Sequence, residues 1–282
     1  MLALSLLFGA IVGFSLGLTG GGGSIFAVPL LVYGLSVPAR EATGLSLAAV
    51  GATAFAGFLQ RLRRHDVEIG AGLFFSAAGM IAAPAGSWLA GKISPATLLT
   101  LFSALMLVVA ASMWRKASTR PADAAEVRAD IMHGDAESPG PGPACERDPA
   151  GGLRMNSRCA VRVAGAGLVA GILSGFFGVG GGFIIVPALV LFTGMGIHRA
   201  VGTSLLAIAL ISSSGVISHL LGHRAFALDL ALLFVAGGVA GMVIGTRVGR
   251  RLSGPRLQKV FAVAIVLMAV YMAARTLLAP PR

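Results

Sequence analysis

One stretch of this chain occurs twice, and its chemistry is that of bare backbone. Gly17-Leu18-Thr19-Gly20-Gly21-Gly22-Gly23-Ser24-Ile25-Phe26-Ala27-Val28-Pro29 returns 158 positions later as Gly175-Phe176-Phe177-Gly178-Val179-Gly180-Gly181-Gly182-Phe183-Ile184-Ile185-Val186-Pro187. The shared skeleton is G-x-x-G-x-G-G, four variable residues, then Val-Pro. Glycine leaves N–H groups uncovered and permits tight reversals. Where such a run opens a helix, unpaired N–H groups and the positive dipole end favour an anion. The candidates are Gly20, Gly22, Gly23 and Ser24, with Gly178, Gly180, Gly181 and Gly182. The competing reading is that these glycines only let helices pack closely, as small residues do in membranes. The site reading fails if both breaks are plugged by neighbouring side chains.

A second pair follows in the same register: Ala42-Thr43-Gly44-Leu45-Ser46-Leu47 and Ala200-Val201-Gly202-Thr203-Ser204-Leu205. Ser46, Thr203 and Ser204 are hydroxyls in apolar runs. They either donate to an anion or bond back to a helix carbonyl. Arg40 and Arg199 stand just before, as anion attractors for a vestibule or as snorkelling anchors. Within or near the ends of apolar segments the ionisable groups are Asp229 and His219. No acid is central, and proton coupling, if present, would run through one of these two.

These residues need a bilayer to position them. The chain has 282 residues, 56% hydrophobic and only 12% charged, with a mean hydropathy of +0.87. A soluble domain is about a quarter charged. The expected fold class is all-α and polytopic: two homologous, inverted repeats of about five helical segments each, with half-helices after the glycine loops. The segments are read at 2–17, 24–35, 42–60, 67–91 and 96–114, then 161–175, 182–195, 200–221, 227–249 and 256–279. The third to fifth of each copy can cross about 30 Å of hydrocarbon. The second is too short to do so upright. Residues 2–16 lack a positive leader and recur inside the chain, so they read as retained structure rather than a signal peptide.

The domains read as repeat 1 at 1–114, a polar linker at 115–160 and repeat 2 at 161–282. The linker is rich in Pro, Gly and charge without apolar periodicity, and is expected to be disordered. Cys145 and Cys159 have no C-x-x-C spacing and read as reduced thiols on the cytoplasmic side. An odd number of segments per copy inverts the second copy. With the linker inside, Arg61, Arg63, Arg64, Arg199, Arg247, Arg250, Arg251, Arg256 and Lys259 are cytoplasmic. Arg40, Lys92, Arg224, Arg275 and Arg282 are outside. That bias obeys the positive-inside rule, and the parallel arrangement reverses it.

Several chemistries have no support. The net charge of +11 punctuates apolar runs instead of forming a face, so nucleic acid is not an expected partner. The G-x-G at 178–180 lacks a strand–turn–helix context, and no G-K-[ST] follows a glycine loop. No His, Cys or carboxylate cluster has metal spacing. Ser212-Ser213-Ser214-Gly215 has no base beside it and reads as a helix-packing patch. No enzyme activity, cofactor or metal is expected.

The paired G-x-x-G-x-G-G…V-P, with A-x-G-x-S-L after each and a polar central loop, resembles the TauE/SafE family of membrane permeases. The resemblance covers almost the whole chain outside 115–160. It implies a secondary carrier of sulfur-containing anions, sulfite or organosulfonates, in a bacterial inner membrane. One departure stands out: the first copy has Gly44-Leu45-Ser46 where the second has Gly202-Thr203-Ser204. The expected partners are lipid and a small anion; a homo-oligomer stays open. The alternatives are an anion channel or a membrane scaffold that moves nothing.

Overall fold

The computed structural model describes residues 2–64, 66–119, 146–147, 153–154, 157–193, 195, 197–221, 228–249 and 254–278. They form ten helical segments. The first copy holds α1 (Leu2–Thr19), α2 (Gly22–Gly34), α3 (Ala39–Leu62), α4 (Ile69–Lys92) and α5 (Pro95–Thr119). The second holds α6 (Ser157–Phe177), α7 (Gly182–Thr193), α8 (Ile197–Leu221), α9 (Leu228–Gly249) and α10 (Gly254–Leu278). Among the described residues, α1, α3, α4, α6, α8 and α9 contain spans long and apolar enough to cross a membrane. The apolar parts of α5 and α10 are shorter, Pro95–Ala111 and Ala262–Arg275.

Local chemistry sets several boundaries. Ser94 precedes Pro95, and its Oγ accepts the Thr97 N–H at 3.2 Å. This is an N-cap followed by proline at the first helical position, where no N–H is needed. Glu41 in the first turn of α3 and Arg61 in its last complement the helix dipole. Pro29 interrupts α2. That segment is a 3-10 turn over Gly22–Phe26, one α-turn over Ala27–Pro29 and a π turn over Leu30–Gly34. Proline offers no N–H, so a regular ladder cannot pass through it.

Helix takes the edges of the expected linker, since α5 runs to Thr119 and α6 starts at Ser157. A two-residue antiparallel ladder pairs Glu146–Arg147 with Leu153–Arg154. The expected disorder of the linker falls largely outside the described residues. Cys159, buried in the first turn of α6, is disulfide-bonded, which corrects the expectation of a reduced thiol. The chain has one other cysteine, Cys145, outside the described residues.

Packing follows small residues. Gly9, Gly13 and Gly17 of α1 meet Phe234, Gly238 and Met242 of α9 in rising order, so the two helices run parallel. Gly167, Gly171 and Gly175 of α6 meet Phe75, Gly79 and Ala83 of α4 in the same way. Between α3 and α8 the order is reversed: Gly44 meets His219, Leu47 meets Gly215, and Gly51 meets Ser212. These two helices are antiparallel. Gly238 touches Thr53, and Gly57 touches Met242, so α9 runs with α3. Gly72 touches Leu206, and Gly79 touches Ile211, so α4 runs with α8. Hence α1, α3 and α9 point one way, and α4, α6 and α8 the other.

The spans in α3 and α8 are 72% buried, against 39–44% for the spans in α1, α4, α6 and α9. The antiparallel pair is therefore the centre, with the other four around it. The outward faces are apolar: Ile81, Val161 and Leu221 are 77%, 72% and 76% exposed. Water disfavours such a surface, and lipid does not.

Candidate functional site at the paired glycine breaks

Gly20 and Gly178 end α1 and α6 in the same conformation. Their φ angles are 74° and 72°, in the left-handed region that favours glycine. Each donates its N–H to the carbonyl four residues back, Gly20 to Leu16 at 2.7 Å and Gly178 to Ser174 at 2.8 Å. These are αL helix ends that reverse the chain. The two breaks then meet. A Cβ on Gly21 would fall 2.8 Å from Gly182 Cα, so the loops touch backbone to backbone.

The meeting point lies at mid-depth. Gly180 packs against Val50 and Ile208, each about halfway along its central helix, α3 or α8. Irregular backbone at this depth must be covered by protein or line a polar cavity.

The two breaks differ in what surrounds them. At the first, the space beside Gly20 is filled by the Val201 side chain, and that beside Gly23 by Ser15 and Leu16. Gly22 is more open, with Thr19 Oγ1 at 3.2 Å from a Cβ placed there. Ser24 donates to the Gly21 carbonyl at 2.7 Å. Ser204 donates to the Gly20 carbonyl at 2.7 Å and to Val201 at 2.8 Å. A 3-10 turn, not an α-helix, follows this break.

At the second break the α-helix α7 begins directly at Gly182. Gly180 and Gly181 also have positive φ, 70° and 66°. Among the described residues, the N–H groups of Val179, Gly180 and Gly181 make no hydrogen bond. Three buried hydroxyls there have no partner either: Ser46, Ser174 and Ser212. A buried hydroxyl left without a partner costs about 1–3 kcal/mol. Ser212 Oγ lies 3.1 Å from a Cβ placed on Gly180, and Ser174 Cβ 3.5 Å from one on Gly181. Ser46 lies on the α3 face between Thr43, which touches Gly178, and Val50, which touches Gly180.

The other nominated residues lie apart from this point. Thr203 is buried, and its Oγ1 accepts the Glu68 N–H at 2.9 Å. Arg199 pairs with the Glu68 carboxylate at 3.0 Å. His219 is buried, its ring packed on Gly44. Asp229 is exposed in the first turn of α9. Ser174 escaped notice in the sequence, and Ser212 reads there as packing. Their repeat-mates, at the spacing of 158, are Leu16 and Ala54, and that mismatch was the available signal. Among the described residues no three His, Cys, Asp or Glu side chains form a group able to hold a metal.

The family model for the sulfite exporter TauE/SafE matches residues 5–272. The chain belongs to the TauE/SafE family. A probable membrane transporter protein of Xylella fastidiosa (strain Temecula1) is 34% identical over 268 residues, 93% of this chain and 91% of that one. The probable membrane transporter protein YunE of Bacillus subtilis (strain 168) is 27% identical over 272 residues, covering 92% and 93%. No solved structure gives a significant match. This TauE/SafE chain is a multi-pass membrane transporter in contact with lipid, not an enzyme.

Proposed function

We propose that the chain carries a small anion, sulfite or an organosulfonate, across the bacterial inner membrane. The observation that supports this most is the second glycine break, lying against the midpoints of α3 and α8 with unpartnered N–H groups and hydroxyls. Donors without acceptors at mid-depth suit a ligand that supplies acceptors. Two inverted halves would rock about that point to give alternating access. The opposed courses of α3 and α8, and of α4 and α9, support inversion.

The purified protein in proteoliposomes should move sulfite faster than empty vesicles, with saturation and with acceleration by an anion on the far side. Flux equal to that of empty vesicles for sulfite, sulfoacetate and related sulfonates would end this reading. Saturation and counter-stimulation also separate a carrier from a channel.

The distribution of Lys and Arg favours a cytoplasmic linker. The bonded state of Cys159 argues against that side, since disulfides persist in oxidising compartments. Reporter fusions at the linker and at the C-terminus decide the matter, because inversion requires opposite sides. Deleting 121–155 should leave flux largely intact in a carrier. Loss of all function on that deletion, with normal insertion, would favour a scaffold instead.

A further inference from the structure

The two breaks share a backbone pattern but not a chemistry. Around the first, the repeat-mates of Ser174 and Ser212 are Leu16 and Ala54, both fully buried. The repeat-mate of Ser46 is Ser204, whose hydroxyl is committed to the Gly20 carbonyl at 2.7 Å. No uncommitted hydroxyl of these three positions remains at the first break. At the second break all three are present, buried and without a partner.

We propose that the ligand is held at the second break alone, by the Ser46, Ser174 and Ser212 hydroxyls and the N–H groups of Val179, Gly180 and Gly181. This rests on the anion-carrier reading above and deepens it. The occupant is one small oxyanion with several acceptor oxygens, as a sulfonate or sulfite presents. The N–H groups can only donate, which selects for acceptors over cations. The helix that follows, α7, is 12 residues long and aims its positive end at the same place. Neither α6, α7 nor α8 carries an Asp or Glu to repel an anion. Hydroxyl and amide donors without a buried lysine or arginine bind through dipoles, so the ligand can leave again. That suits a carrier, which must release what it binds. The breaks do not differ in the side chain beside their αL glycine, Val201 at Gly20 and Thr43 at Gly178, but in whether a hydroxyl is left uncommitted.

The test uses the full chain in detergent and in proteoliposomes, with methanesulfonate and sulfite as probes. Ser46→Ala, Ser174→Ala and Ser212→Ala should each weaken binding about tenfold or more, since each removes a hydrogen bond to a charged group. The same variants should hold or raise the melting temperature without ligand, because each deletes a hydroxyl that has no partner in the empty protein. Ser103→Ala, which removes a hydroxyl bonded to the Leu99 carbonyl on α5, should leave binding unchanged. If wild type binds and the three variants bind equally well, the cradle is wrong and anion transport stands. A fall in melting temperature with unchanged ligand-induced stabilisation also overturns it, since that marks a structural hydroxyl. A wild type that neither binds nor moves any anion of the panel removes the carrier reading and the cradle with it.

Discussion

Gly171→Leu should leave almost no folded protein in the membrane, while Gly165→Leu on the same helix should leave yield and monodispersity at the wild-type level. A Cβ on Gly171 would collide with the Gly79 carbonyl oxygen and lie 2.7 Å from Gly79 Cα. Both obstacles are backbone of α4, so no side chain can move aside. Close approach is what joins helices in lipid, where burial of apolar area drives little. Overpacking a soluble core costs about 1–3 kcal/mol. Separating α6 from α4 forfeits the contacts on either side as well, which also include Gly175 at Ala83 and Gly167 at Phe75. Nothing lies within 4 Å of a Cβ on Gly165. Size-exclusion chromatography of solubilised membranes reads both variants. Equal yields would mean that α4 and α6 do not touch through their glycines.

The second large effect is expected at Gly178. Alanine there must adopt φ near 72° and place its methyl 2.6 Å from Thr43 Cγ2 and 2.7 Å from Thr43 Cα. The left-handed conformation alone costs about 1–2 kcal/mol, before any clash is counted. We expect a melting temperature lower by several degrees and flux reduced to near background, since the loop at mid-depth must shift. Gly22→Ala should cost far less stability, because Gly22 has no positive φ and its nearest neighbour is the Thr19 hydroxyl at 3.2 Å. Thermal unfolding of the two variants, with flux for Gly178→Ala, checks the contrast. Equal losses would show that the αL conformation and the Thr43 contact do not set the cost at Gly178.

The segments legible in the sequence were those that lipid dictates. Runs such as 42–60 and 200–221 are apolar enough to be helical wherever they pack, and α3 and α8 cover both. The breaks were legible because glycine density and a following proline act locally. Boundaries near polar residues were less so: α5 runs past 114 to Thr119, through residues whose charge made them look like linker.

The site was only half legible. Ser24, Ser46 and Ser204 look alike as hydroxyls in apolar runs. In the fold Ser24 donates to its own loop, Ser204 reaches Gly20 at a separation of 184 residues, and Ser46 has no partner. Ser212 reads as packing because its neighbour at the α3 midpoint, Gly51, lies far away in the chain, and nothing local marks Ser174 as facing Gly181.

Composition and the doubled glycine motif by themselves determined that this chain is helical, crosses a membrane and breaks at two equivalent places. Those properties depend on solvent and on the backbone freedom of single residues, and both are written locally. Which break keeps free donors was decided by tertiary structure alone, because a hydroxyl is committed or available only through a partner that distant folding brings within about 3 Å.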